Sequence, residues 1–260
     1  MTTMVFDIET VPDVELGRKL LGLEGVNDTD TAKAMVFNHL QSSGSEFLPL
    51  YQQKIVAISI AWQSPGEFKV WSLGDENSTE AELIQRFYDG IERYTPELVS
   101  WNGGGFDLPV LHYRALRHKI QAATYWDHGE NNRDFKWNNY LSRYHWRHLD
   151  VMDVLSGFQP RARAGLDVIA TMLGYPGKMG MAGDQVWPEY EQGNIAGIRN
   201  YCETDVLNTY LVYLRFQFMR GTIDAVQLAE EEARVESALT DSGEPHLQAF
   251  LDTWKAADTA

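Results

Sequence analysis

The chain has 260 residues, 44% of them hydrophobic and 12% aromatic, enough apolar side chain for one large α/β core and too much for a disordered chain. Its net charge of −15, from 37 acids against 22 bases, argues against a protein that coats duplex backbones by counterion release. One cysteine, Cys202, excludes an internal disulfide, and no apolar run or N-terminal signal pattern suits a membrane, so the expectation is a cytoplasmic protein with no membrane partner.

Taken in chain order, "MVFDIETVPD" opens with a strand that Pro12 ends, and residues 13 to 50 read as helical pieces and loops. "KIVAISIAW" is a dense β-branched strand, and the alternating "EFKVWSL" is its hairpin partner across "QSPG". Thr79 caps a helix running to about Tyr94, with Glu82 completing a capping box. "ELVSW" is a short strand, and "NGGGFDLPVLHYRALRHK" turns from it into a helix. Residues 124 to 146 read as a long surface loop, "RHLDVMDVL" resumes strand character, and "RARAGLDVIATMLG" reads as a helix. A single long helix spans Asn194 to Arg220, and two more follow between 222 and 257, broken near "DSGEP". Strands early, helices late and alternation between predict a mixed central sheet with helices on both faces. Residues 221–260 form a C-terminal helical appendage on the same domain.

Three acidic stretches stand out. In the opening strand Asp7 and Glu9 flank Ile8, and residues i and i+2 share a strand face. Two carboxylates held side by side cost free energy unless a cation neutralises them. Asp107 follows the run Gly103, Gly104, Gly105 and Phe106 at a strand-to-helix turn, the place where α/β proteins put ligands. The glycines would let backbone approach a ligand closely; the plain alternative for Asp107 is a helix N-cap. Tyr201 and Asp205 lie one helical turn apart, as either a site pair or a structural hydrogen bond. Oxygen ligands from separate elements, with no Cys or His cluster, suit two Mg²⁺ or Mn²⁺ ions about 3.5–4 Å apart, the clamp used for in-line displacement at phosphorus.

"FDIET", "NGGGFDLP" and "YCETD" resemble, in order, the three motifs of the DEDD 3′–5′ exonuclease superfamily in its tyrosine subtype, which has an RNase H-like fold. The likeness spans roughly residues 4 to 215 and is greatest to the proofreading domain of family B DNA polymerases and stand-alone bacterial relatives; the chain is far too short to include a polymerase. The resemblance implies an exonuclease domain over residues 1–220, with an insertion at about 11–53 that the motifs do not explain. It implies that Asp7, Glu9, Asp107 and Asp205 hold the metals and that Tyr201 orients the attacking water, since a phenol of pKa about 10 is a poor base at neutral pH. It also implies that Thr10, Asn102 and Phe106 grip the terminal nucleotides, with a core position as the lesser alternative for Phe106. The implied activity removes nucleoside monophosphates from the 3′ end of single-stranded DNA. The alternatives are an exoribonuclease and a catalytically idle nucleic-acid-binding module.

Other features carry less. Arg133, Lys136, Arg143 and Arg147 interleave with Trp126, Phe135, Trp137 and Tyr140, a pattern that suits a single strand or a solvated loop. "GFQPRARAG" and Lys178 are weaker versions of the same signal, and Asp150 and Asp153 are expected to play a supporting, structural part. "LGYPGKMG" lacks the P-loop spacing, and His145 and His148 lack partners for a zinc site. Cys202 is expected to be a buried bystander.

Overall fold

The computed structural model describes residues 2–257; the last three residues of the expected C-terminal appendage, 258–260, and residue 1 lie outside the described residues. A five-stranded sheet runs in the order β3-β2-β1-β4-β5, built from β1 (Thr3–Pro12), β2 (Gln53–Ser64), β3 (Glu67–Ser72), β4 (Glu97–Ser100) and β5 (His148–Asp150). β1, β2 and β3 pair antiparallel, whereas β4 and β5 run parallel to β1. This mixed sheet, with helices on both faces, is the RNase H-like arrangement expected from the sequence.

The strands form where β-branched residues alternate or cluster. The β2–β3 hairpin closes on Pro65 and Gly66, with Gly66 at φ 82°, a conformation open to glycine. Between β1 and β2, α1 (Val14–Leu21) and α2 (Asp28–Ser43) are followed by a 3₁₀ turn at Leu50–Gln52, so the expected insertion is an ordered helical hairpin. α3 (Glu80–Tyr94) begins on the anticipated capping box of Thr79 and Glu82. α4 (Asp107–His118) follows β4, and α5 (Val151–Leu155) follows β5 directly. The strand expected in "RHLDVMDVL" is therefore only three residues long, because Asp150 accepts from Asp153 N and caps a helix instead. α6 (Leu166–Met172) is shorter than the helix expected there, beginning after Gly165 rather than in the arginine run. α7 (Val186–Glu191) precedes the long α8 (Ile195–Met219), and α9 (Ala225–Ser242) and α10 (Pro245–Ala257) pack on α8.

Two cores follow from the alternation of β1. Met4, Phe6 and Ile8 point to a layer made with α3 and α4, where Phe6 meets Phe87 at 5.1 Å. Val5 points to the opposite layer with α6, α8, α9 and α10. Each fully buried Ile or Phe contributes about 1.5–3 kcal/mol by leaving water. The segment expected to be a surface loop, 124–146, is corrected by its burial: Tyr125, Phe135 and Tyr140 are enclosed in the α3/α4 layer. Arg147 lies over the Phe135 and Tyr140 rings and donates to the Thr95 carbonyl at 3.2 Å. Arg143 and Arg163 both pair with Asp153. Arg143 and Arg147 of the basic–aromatic stretch thus bind other parts of the fold, while Trp137 stays exposed under Lys136. Among the described residues, no helix is long and apolar enough to cross a membrane.

Candidate active site

The site grows out of a split in the sheet. β4 pairs with β1 only over Thr3–Val5, so beyond Val5 that side of β1 is open. The free backbone N–H of Ile8 is taken by Asp107 Oδ1 at 3.1 Å. This bond brings the first residue of α4 over the carboxyl end of β1, the crevice where open α/β sheets bind ligands. Asp107 is thus not the helix N-cap, a position held by Phe106.

The loop that makes the turn is fixed by Asp150, which accepts from Asn102 N at 3.0 Å and Gly104 N at 2.9 Å. The supporting part expected of Asp150 is what the structure shows. The glycine run is closely packed: a Cβ on Gly103 would collide with the Ser100 hydroxyl, and one on Gly105 would lie 2.6 Å from Asn102 Oδ1. Asn102 itself carries the unusual backbone, φ 67°, which Asn tolerates better than most residues.

Asp7 and Glu9 share the face of β1 that meets α8, as their spacing requires. α8 brings up Tyr201, Cys202 and Asp205 from the other side. Asp7 is half-buried, Glu9 and Asp107 are buried, and Asp205 is half-buried. Burial, then the charges of Asp107, Glu9 and Asp205, pushes the Asp7 carboxyl well above the ordinary range. Burial, then Asp205 and Asp107, does the same to Glu9. Burial also lifts Asp107 to about 7, although its own backbone N–H and that of Ile8 favour the anion. Asp205 is raised by burial to about 6, with the Tyr201 hydroxyl and the Lys178 charge working the other way. Among the described residues, none of the four takes part in an ion pair. Four acids that repel one another, with no ion-paired partner and only the more distant Lys178 charge, form a cluster able to hold a divalent cation.

Cys202 lies fully buried beneath this cluster, its Sγ 3.5 Å from the Asp7 carbonyl oxygen and 3.7 Å from Asp7 Oδ2. One ligand atom from each of Asp7, Glu9 and Cys202 lies within 4.8 Å of the others. Burial and the charges of Asp7 and Glu9 push the thiol up, so it donates to Asp7 as S–H and is a poor hard-metal ligand. Burial and the neighbouring acids, Asp205 first, also raise the Tyr201 phenol, which therefore stays neutral.

The family model for a predicted 3′–5′ exonuclease related to the exonuclease domain of PolB matches residues 45–254. The chain belongs to this family. The match covers the stretches around Asp107 and Asp205 and begins after Asp7 and Glu9, which the fold brings to the same crevice. A search of curated proteins gives no match. Among solved structures, the family B DNA polymerase of the hyperthermophilic archaeon Pyrobaculum calidifontis is similar with a TM-score of 0.47 and 16% identity, over 96% of this chain and 27% of that one. The chain thus spans about a quarter of that polymerase's length.

For this 3′–5′ exonuclease family member, all five residues singled out for catalysis lie together at the crevice. Of the residues expected to contact substrate, Thr10 adjoins Glu9 on β1 and donates its Oγ1 to Gln53 Oε1 at 3.0 Å, Asn102 lies in the turn held by Asp150, and Phe106 is half-buried against the α3/α4 core. Sequence reasoning missed the support around them. Cys202 under Asp7, and Gln53 behind Thr10, become neighbours only through the pairing of distant segments. Phe47, whose ring meets that of Phe106 at 5.7 Å, sits in a stretch with no hydrophobic period to mark it.

Proposed function

We propose that the chain removes nucleotides one at a time from the 3′ end of single-stranded DNA, with two Mg²⁺ or Mn²⁺ ions held by Asp7, Glu9, Asp107 and Asp205. The observation that carries this reading is the cluster of four acids without an ion-paired partner at the carboxyl end of β1. Its donor set fits: carboxylate oxygens from three separate elements suit hard divalent ions, and the softer thiol nearby stays protonated. Bound ions would activate water and stabilise charge on the phosphate and the departing 3′ oxygen.

The protein's own groups do the rest. Tyr201, neutral and hydrogen-bonded to Asp205, orients the water that attacks phosphorus. Cys202 and the backbone of Ile8 hold Asp7 and Asp107 at fixed positions, so the cluster is organised before substrate arrives. Thr10, Asn102 and Phe106 would grip the terminal nucleotides. Residues 1–220 serve as the exonuclease unit, carrying the 11–53 insertion, and 221–260 as its helical extension.

The test is a gel assay of 5′-labelled single-stranded DNA and matched RNA with Mn²⁺, Mg²⁺ or EDTA. A metal-dependent ladder shortening from the 3′ end supports the proposal and ranks the two substrates. Unchanged substrate in every lane contradicts it and favours an idle binding module.

A further inference from the structure

We infer that the segment 44–52 adds to this site a stacking track for unpaired bases, whose occupant is the terminal stretch of a single-stranded nucleic acid. The inference takes its substrate class from the exonuclease reading. It stands on a surface feature that the catalytic cluster does not require.

Three large aromatic rings lie exposed beside the crevice: Phe47 at 61%, Tyr51 at 49% and Tyr113 at 48%. With Phe106 they form two pairs where the segment before β2 packs on α4. Phe47 meets Phe106 at 5.7 Å and 57°, and Tyr51 meets Tyr113 at 6.4 Å and 83°. Phe106 immediately precedes Asp107, so the first pair abuts the acid cluster, and the second follows along the same helix. Neither pair is stacked face on face, and Phe47, Tyr51 and Tyr113 each keep about half or more of their surface exposed.

The position of Phe47 is built rather than incidental. Thr10, next to Glu9 on β1, donates to Gln53 Oε1, and Gln53 Nε2 donates to the Leu48 carbonyl at 3.1 Å. Gln53 and Leu48 are buried, so a polar bridge and an apolar anchor fix the residue adjoining Phe47 to the strand that carries Asp7 and Glu9. A chain that buries Leu48 while presenting Phe47 to water maintains an apolar ring outside its core.

Aromatic faces bind every base without regard to sequence, and the contact requires that the base be unstacked from its neighbours. On a protein of net charge −15, backbone attraction is weak away from bound metal, and stacking is the affinity that remains. The track therefore selects frayed or single-stranded ends over paired ones.

The test is stopped-flow mixing, with Mn²⁺, of an oligonucleotide carrying 2-aminopurine at its 3′ end, either single-stranded or as a blunt duplex. A fast quench reads stacking on the protein, and a slower rise reads release of the free nucleotide. The wild-type chain quenches the single strand at concentrations about tenfold below those needed for the duplex, Phe47→Ala removes most of that preference, and Phe47→Tyr restores it. A ratio between two substrates is insensitive to the folded fraction of a variant. An unchanged ratio in Phe47→Ala, a failure of Phe47→Tyr to restore it, or no quench by the wild-type chain overturns the track. A quench with no later rise leaves the track standing and overturns the exonuclease reading.

Discussion

Two groups of buried and half-buried acids flank the end of β1, and they differ in one respect. Asp13 and Glu80 are clamped by Arg114, at 2.5 and 2.6 Å, with Arg117 on Asp13 and His118 on Glu80. Asp7, Glu9, Asp107 and Asp205 face only one another, a neutral tyrosine, a thiol and the more distant charge of Lys178. The Asp13 carboxyl is held below its usual range because bonds from Arg114 and Leu16 outweigh its burial, whereas the four acids are driven upward. The first group is finished and supports the fold. It even caps α1 and takes the Ile55 N–H where β2 shifts register against Glu9 and Thr10. The second group lacks such partners, and the proposed cations would supply them.

That contrast can be broken from either side. The largest effect is expected on activity: Asp7→Asn abolishes the metal-dependent ladder in the gel assay while the chain still folds, as circular dichroism will show. On the other side, Arg114→Ala leaves Asp13 and Glu80 buried without their guanidinium and costs about 3–5 kcal/mol in urea unfolding, because an unpaired buried charge is expensive. The same substitution changes activity only as far as the folded fraction changes.

A third effect is smaller and depends on pH. The folded values of Asp107, about 7, and Asp205, about 6, lie above the ordinary carboxylate value of about 4. A raised acid binds protons more readily in the folded chain, so its stability is present below pH of about 4 and is lost as pH rises through about 6–7. Metal-free protein should therefore lose melting temperature between pH 5 and 7.5. Glu9→Gln should lessen that loss by removing one of the repelling charges.

How much of this was legible in the sequence follows from distance along the chain. The capping box at Thr79, the Pro65-Gly66 hairpin and the long α8 depend on neighbours within a few residues, and each formed as read. The i, i+2 and i, i+4 spacings placed Asp7 with Glu9 and Tyr201 with Asp205 for the same reason. The loop at 124–146 hid its core role because Tyr125, Phe135 and Tyr140 follow no helical or strand period; tertiary packing alone decides their burial. The arginines among them read as suited to a single strand or a solvated loop, whereas Arg147 donates to the Thr95 carbonyl and the exposed Arg143 pairs with Asp153. Cys202 beneath Asp7, Gln53 behind Thr10 and Phe47 against Phe106 depend on segments that meet only after folding.

The most direct measurement of the central claim is a calorimetric titration of Mn²⁺ into the chain at pH 7.5, repeated in two buffers of different ionisation enthalpy. Two ions bound per wild-type chain with net release of protons, and loss of that binding in Asp7→Asn, is the result the account predicts. No heat of binding from the wild-type chain, or undiminished binding to Asp7→Asn, would contradict it.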